Sequence, residues 1–483
     1  MNTENSSEIA VREMELLLES QREAFIREGA VSAETRIARL NTAIDILIDN
    51  KDRIVEVMSE DFGNRSRHQS LMSDLYSTIE GLKHNRKGVN KWMRASKRPV
   101  QMPLNLFGAR ARVEYQPKGV VGILGTWNFP INTVFAPLGG VLAAGNRAVL
   151  KFSEITPGTA ALMEELVERY FERDVVACIS GGPAVGAAFS SLEFDHLVFT
   201  GAGSIGKHVM RAAAENLTPV TLELGGKSPV IIARDADLKE TAVRIMTGKA
   251  LNGGQVCLSP DYLFVPEEQL ETFLGHAREY TAEAFPTLRD NPDFTSVVNE
   301  RHRERLLGYL EDAAAKGARI EELNAANEDF SQQDVTHKIP FTLVVNPTDD
   351  MKIMQEEIFG PLIAVKPYKD VDDCIAYINA HDRPLGLYIF SGDKAVQNHI
   401  LDNTLSGGVT INDVMGHPSC EDLPFGGIGP SGLGHYRGYE GFKEFSHARA
   451  VYTQTKINLQ RLGGMMPPYT KKCEDTLDGM IKK

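Results

Sequence analysis

Three residues have side chains and neighbours suited to covalent chemistry on a carbonyl. The first is Cys257, in Asn252-Gly253-Gly254-Gln255-Val256-Cys257. A thiol attacks carbon only as thiolate, and its free pKa is ~8.5. The paired glycines let backbone approach a ligand closely, and the Cys257 N–H is placed to help bind an oxyanion. Taken alone, a lone cysteine is more often a buried structural residue. The second is Glu223, in Thr221-Leu222-Glu223-Leu224-Gly225-Gly226-Lys227. Burial in such an apolar run raises a carboxyl pKa and suits it to general-base work. A solvent-facing strand glutamate is an equal alternative on this residue alone. The third is Asn128, in Gly125-Thr126-Trp127-Asn128-Phe129-Pro130. Its amide can donate to developing negative charge, or close an Asx turn before Pro130.

Other residues read as ligand contacts. Gly201-Ala202-Gly203-Ser204-Ile205-Gly206 follows an apolar run and matches a GxGxxG spacing, with Glu223 placed where a ribose-binding acid would fall. That fingerprint alone is weak, and it leaves Cys257 and Asn128 without a role. Gly201 and Gly206 are therefore read as facing a cofactor without forming the standard dinucleotide turn. Lys151-Phe152-Ser153-Glu154 ends another apolar run. Its lysine and glutamate suit ribose hydroxyls, with a surface ion pair as the bland alternative.

The elements that must position these groups follow from periodicity. Ile37, Leu40, Ile44 and Leu47 repeat at helical spacing after Ser32, a suitable N-cap. Residues 97–118 carry three prolines and a short alternating stretch, which predicts an extended ribbon. From Gly119, short apolar runs at 120–124, 148–151, 175–179 and 196–200 alternate with helical segments. This pattern predicts parallel βαβ units, whose ligands gather at the C-terminal strand ends. Gly182, just after the third run, sits at such an end. A second α/β region carries runs at 229–232, 262–265, 341–345 and 362–366, and the polar segment 321–334 reads as a surface loop.

The chain has 483 residues, 42% hydrophobic and 24% charged, with a formal net charge of −13. This length predicts two or three domains, and the acidity disfavours nucleic acid. Its five cysteines are widely spaced with no CxxC pair, which argues against a disulfide framework or a metal site. No apolar run approaches the ~20 residues of a membrane span, and the N-terminus lacks signal-peptide character. A cytoplasmic protein with no membrane partner is expected.

Together these motifs resemble the aldehyde dehydrogenase superfamily in chain order. The resemblance runs from about Lys118 to Ala450 and includes Glu356-Glu357-Ile358-Phe359-Gly360-Pro361. Pro384-Leu385-Gly386-Leu387-Tyr388, the run from Leu423 to Gly432, and Phe445-Ser446-His447 resemble the class 3 branch, with bacterial coniferyl aldehyde dehydrogenases the most similar. The resemblance implies two Rossmann-like parallel α/β domains plus a β-ribbon for bridging and oligomerisation. Residues 1–96 and 119–223 would form the cofactor domain, 224–405 the catalytic domain, and 97–118 with 406–483 the bridging segment. It further implies Cys257 as nucleophile, Glu223 as the base for thioester hydrolysis, and Asn128 as oxyanion donor. Lys151 and Glu154 would contact the adenosine ribose, and Glu357 and Phe359 the nicotinamide ribose and ring. Trp127, Gly182, Gly201, Gly206 and Leu224 would complete the cofactor site. The expected cofactor is NAD, with NADP the alternative, because Phe152 and Ala202 depart from the family pattern on the adenosine side. No metal is expected.

The expected substrate is a small-molecule aromatic aldehyde such as coniferyl aldehyde, with Phe425, Tyr436, Tyr439, Phe442 and Phe445 close in sequence as candidate walls. A medium-chain aliphatic aldehyde is the alternative within the class. An acyl-CoA-forming relative is disfavoured by Glu223. A non-catalytic structural or binding protein on the same scaffold is disfavoured by retention of all three reactive residues. The ribbon edge predicts a homodimer.

Overall fold

The computed structural model describes residues 2–482. Helices dominate the first ninety residues. In Ala33–Asp49, Leu40, Ile44 and Leu47 are buried, and the Ser32 hydroxyl accepts the Thr35 N–H at 3.2 Å. This cap satisfies one of the amides left orphaned at a helix start. Helix Ser77–Trp92 then packs the same core, contributing Leu82 and Val89.

A six-stranded sheet follows. Its spatial order is Gly432–Leu433, Val220–Glu223, His196–Thr200, Val120–Leu124, Arg147–Lys151 and Val176–Cys178. All neighbours run parallel except the Gly432–Leu433 edge. The two strands beginning at Val120 and Arg147 are buried along their whole length, because helices cover both faces of a parallel sheet. Leu124, Lys151, Thr200 and Glu223 therefore end on one edge of the domain.

The second sheet has seven strands. Its order is Arg319–Leu323, Phe341–Val345, Leu362–Tyr368, Pro260–Pro266, Ser228–Ile232, Gly386–Phe390 and Gly408–Ile411. Only the Arg319–Leu323 pairing is antiparallel. Leu224-Gly225-Gly226-Lys227 carries the chain from one sheet to the other. The predicted ribbon exists: Ser96–Arg98, Arg110–Pro117 and Ser446–Thr453 form a three-stranded antiparallel sheet.

The structure differs from the sequence reading in three places. Gly408–Ile411 lies beyond the expected boundary at 405, yet it is an edge strand of the seven-stranded sheet. Gly432–Leu433 returns to the six-stranded sheet, opposite Leu222 and Glu223. The segment after 406 thus serves both sheets as well as the ribbon. The segment 321–334 begins as strand, pairing Glu321 with Leu343, before it becomes loop. Among the described residues no helix is long and apolar enough to cross a membrane.

Candidate active site

Asn128 sits in the loop that leaves the Val120–Leu124 strand and is buried. Its backbone carbonyl accepts from Arg65 Nη1 at 2.7 Å and from Asn252 Nδ2 at 3.0 Å. Its side-chain amide donates one N–H to the Gln255 carbonyl at 3.0 Å, which leaves the second N–H for a ligand. Arg65 is itself buried against Asp74, 3.3 Å away, and its guanidinium lies 4.9 Å from the Phe62 ring centroid and 5.3 Å from that of Phe129. Asp74 also accepts the Asn132 N–H at 2.6 Å, and burial pushes its carboxyl up to about 6.

Cys257 follows a turn that standard helical backbone cannot make. Asn252, Gly253 and Gly254 adopt φ values of 51°, 59° and 73°. A methyl group on Gly254 would collide with the Gly360 carbonyl, and one on Gly253 would stand 2.9 Å from the Thr295 carbonyl. The turn is locked by Gln255, whose side chain donates to Asn252 and Ser296 carbonyls and accepts the Val298 N–H, each at 2.9 Å. Burial, then the nearby Glu357 and Glu223, push the Cys257 thiol up to about 12.

Glu223 ends its strand fully enclosed. Neither carboxylate oxygen has a hydrogen-bond partner. Burial holds its carboxyl well above the usual carboxylate range; Arg437 opposes this and Glu444 adds to it. An unpartnered buried carboxyl is costly, so its retention beside a thiol needs a reason. Glu357 lies against the Gly225 backbone, where any side chain would collide with it. Burial pushes Glu357 up to about 8, with Asp261 adding to the rise and the Gly226 N–H opposing it.

These groups share one cavity of about 1010 Å³ between the two sheets. Of the residues singled out in the sequence, Trp127, Asn128, Gly201, Glu223, Leu224, Cys257, Glu357 and Phe359 line it. Lys151, Glu154, Gly182 and Gly206 do not. Lys151 Nζ lies 3.2 Å from Glu154 Oε2 and packs beside Gly186, at the neighbouring strand end. Gly182 is open, with no atom near the position of a Cβ. Gly206 is buried, and a side chain there would strike Leu224; its smallness lets the helix Gly203–Glu215 approach the strand. Of the five clustered aromatic residues, Phe425 and Tyr436 line the cavity. Tyr439 and Phe442 pack around Trp92 instead, and Phe445 is core.

Several cavity residues gave no signal in the sequence. Tyr309 donates to Glu356 at 2.6 Å, and Arg305 donates to Tyr309 and to the Glu357 and Phe359 carbonyls. The His302 ring lies 5.1 Å from Trp127. Met415 and Arg437 come from the Gly-rich C-terminal stretch. Helical spacing of Arg305 and Tyr309 was the one available clue.

The family model described as aldehyde dehydrogenase family matches residues 4–451. The chain belongs to the aldehyde dehydrogenase family. It is 53% identical to a protein named probable coniferyl aldehyde dehydrogenase from Caulobacter vibrioides, over 97% of this chain and 96% of that one. A solved structure of Staphylococcus aureus AldH in a substrate-bound state superposes with a TM-score of 0.89 at 32% identity, covering 97% of this chain and 99% of that one. A Mycobacterium tuberculosis aldehyde dehydrogenase complexed with NAD+ superposes at 0.81 and 26% identity, covering 91% and 90%.

Proposed function

We propose that this chain oxidises a cinnamyl-type aromatic aldehyde to its carboxylate with NAD or NADP, through a thioester on Cys257. The observation that carries the reading is the enclosed, unpartnered Glu223 carboxyl sharing a cavity with Cys257 and Asn128. The Cys257 thiol gives its proton to solvent as its sulfur attacks the carbonyl carbon. The free N–H of Asn128 and the Cys257 backbone N–H donate to the resulting oxyanion. Bound nicotinamide supplies the hydride acceptor. Glu223, ionised for this step, then takes a proton from water as that water attacks the thioester carbonyl, and the thiol and the carboxylate product are released.

The residues present fit a dinucleotide. Helix Gly203–Glu215 starts without a side-chain cap, and Gly201, Ala202 and Ser204 face the cavity. Free amides at a helix start suit a phosphate. Lys151 and Glu154 would hold the adenosine ribose, with open Gly182 giving room. Glu357 and Phe359 would hold the nicotinamide ribose and ring, against Trp127 and Leu224. Glu357 Oε1 is buried and unpartnered, as a ribose acceptor would be before its ligand binds.

The aromatic substrate rests on the name of the Caulobacter relative and on Phe129, Phe425 and Tyr436 in the cavity wall. The five cysteines are all free thiols, which supports a reducing, cytoplasmic setting. The ribbon edge supports a homodimer.

In the test, Cys257→Ala removes aldehyde oxidation while cofactor binding persists. Glu223→Gln gives one burst of NADH and then slow turnover, with an acyl adduct on the protein by mass spectrometry. Normal steady turnover in either variant refutes its assigned role. Ranking kcat/KM for coniferyl aldehyde, benzaldehyde, hexanal and acetaldehyde decides the substrate class, and a clear lead for hexanal favours the medium-chain aliphatic reading.

A further inference from the structure

One cation in the cavity wall touches no group in the steps above, although its charge opposes the rise of the Glu223 carboxyl. Arg437 is held at φ 115° and ψ 144°, a backbone conformation that favours glycine. Such strain persists only where the surroundings enforce it, and it clusters at ligand sites. Here the enforcement is visible. The guanidinium carbon lies 4.8 Å from the Phe425 ring centroid. Nη1 donates to the Pro418 carbonyl and reaches Glu421 at 3.5 Å. The following Gly438 has φ 49°, and a side chain there would collide with the Glu421 carbonyl.

The arginine side chain is only 10% exposed, yet its donors are not used up. Both protein hydrogen bonds run through Nη1. Nε is buried without an acceptor, and Nη2 has none among the described residues. The other arginine in this cavity, Arg305, is tied to Tyr309 and to the Glu357 and Phe359 carbonyls, on the side assigned to nicotinamide. Arg437 lines the same cavity, with its guanidinium over the Phe425 ring and with Tyr436 and Ser419 also in the wall.

We propose that Arg437 is a specificity-determining residue that binds the ring oxygen of a 4-hydroxycinnamyl aldehyde. The inference rests on the aromatic-aldehyde reading and names the group that reads the substituent. Phe425 and Tyr436 provide flat apolar surface for the ring, and the guanidinium provides charged donors for the phenol or phenolate oxygen beyond it. A cinnamyl aldehyde without that oxygen keeps every contact except this one.

The experiment compares coniferyl aldehyde with cinnamaldehyde, which has the same propenal chain and no ring oxygen. Arg437→Gly removes the guanidinium and relieves the strained backbone but leaves the Glu421 carboxyl without its cation, so its thermal midpoint is measured beside its kinetics. Arg437→Gln keeps a neutral donor. In both variants the preference for coniferyl aldehyde over cinnamaldehyde, as a ratio of kcat/KM, falls at least about tenfold, the scale of a lost charged hydrogen bond. The cinnamaldehyde value falls as well, because Arg437 also opposes the rise of the Glu223 carboxyl, so the ratio between the two substrates is the quantity that reads the ring oxygen. An unchanged preference overturns the proposal, as does a parallel fall for both substrates, which would place Arg437 with Glu223 or with the fold. If the wild-type protein takes hexanal and neither cinnamyl aldehyde, the aromatic reading falls and this proposal with it.

Discussion

Burial without partners sets the behaviour of individual residues here. Glu357 illustrates it. Its carboxyl is pushed up to about 8, so it is largely neutral at pH 7 and ionised at pH 9. A carboxylate accepts ribose hydroxyls more strongly than a neutral acid does. The KM for NAD should therefore fall as pH rises from 7 to 9, and Glu357→Gln should abolish that dependence in steady-state kinetics. A dependence that survives the substitution would remove Glu357 from the cofactor site. The buried Arg65–Asp74 pair supports Asn128 from behind. Asp74→Ala strands the Arg65 charge, which costs about 3–5 kcal/mol. Urea unfolding should show that loss, and kcat should fall as Asn128 shifts. Cys257, Glu223 and Asn128 drew notice through their glycine and apolar neighbours, but those neighbours left a structural reading open for each, and only the ordered set of motifs resembling the family gave them roles. Arg65, Asp74 and Arg437 were not legible, because charged residues read as surface until long-range packing encloses them.

At the scale of elements, the decisive piece is the left-handed turn before Cys257. Gly254→Ala sets a side chain at φ 73° and into the Gly360 carbonyl. Strain of that kind costs about 1–3 kcal/mol before the collision is added. A thermal melt should show the loss, and kcat should drop further because the thiol is displaced. A variant with wild-type stability and turnover would show the turn to be adaptable. The parallel strands were legible from continuous apolar runs such as Val120–Leu124. The Gly432–Leu433 strand was not. Two residues carry no periodicity, and its place beside Glu223 is fixed by a backbone approach that only Gly432 permits, since a side chain there would strike the Leu222 carbonyl.

At the scale of the whole molecule, the three-stranded ribbon is an open-edged sheet. Ser446–Thr453 is exposed over most of its length and pairs on one side only, with Arg110–Pro117. Unpaired strand edges recruit partners, and light scattering should return twice the chain mass at working concentration. A monomer would refute the homodimer. The bond from the Asn128 amide to the Gln255 carbonyl has a different reach. It links a loop of the six-stranded sheet to a turn of the seven-stranded one, so the reacting atoms straddle a fault line. Heat or denaturant that lets the two plates slip by an ångström separates amide from sulfur while each plate still holds its own ladder of hydrogen bonds. Turnover then becomes a seismograph for the joint: it should fade several degrees below the loss of circular dichroism, and recover on cooling from that interval.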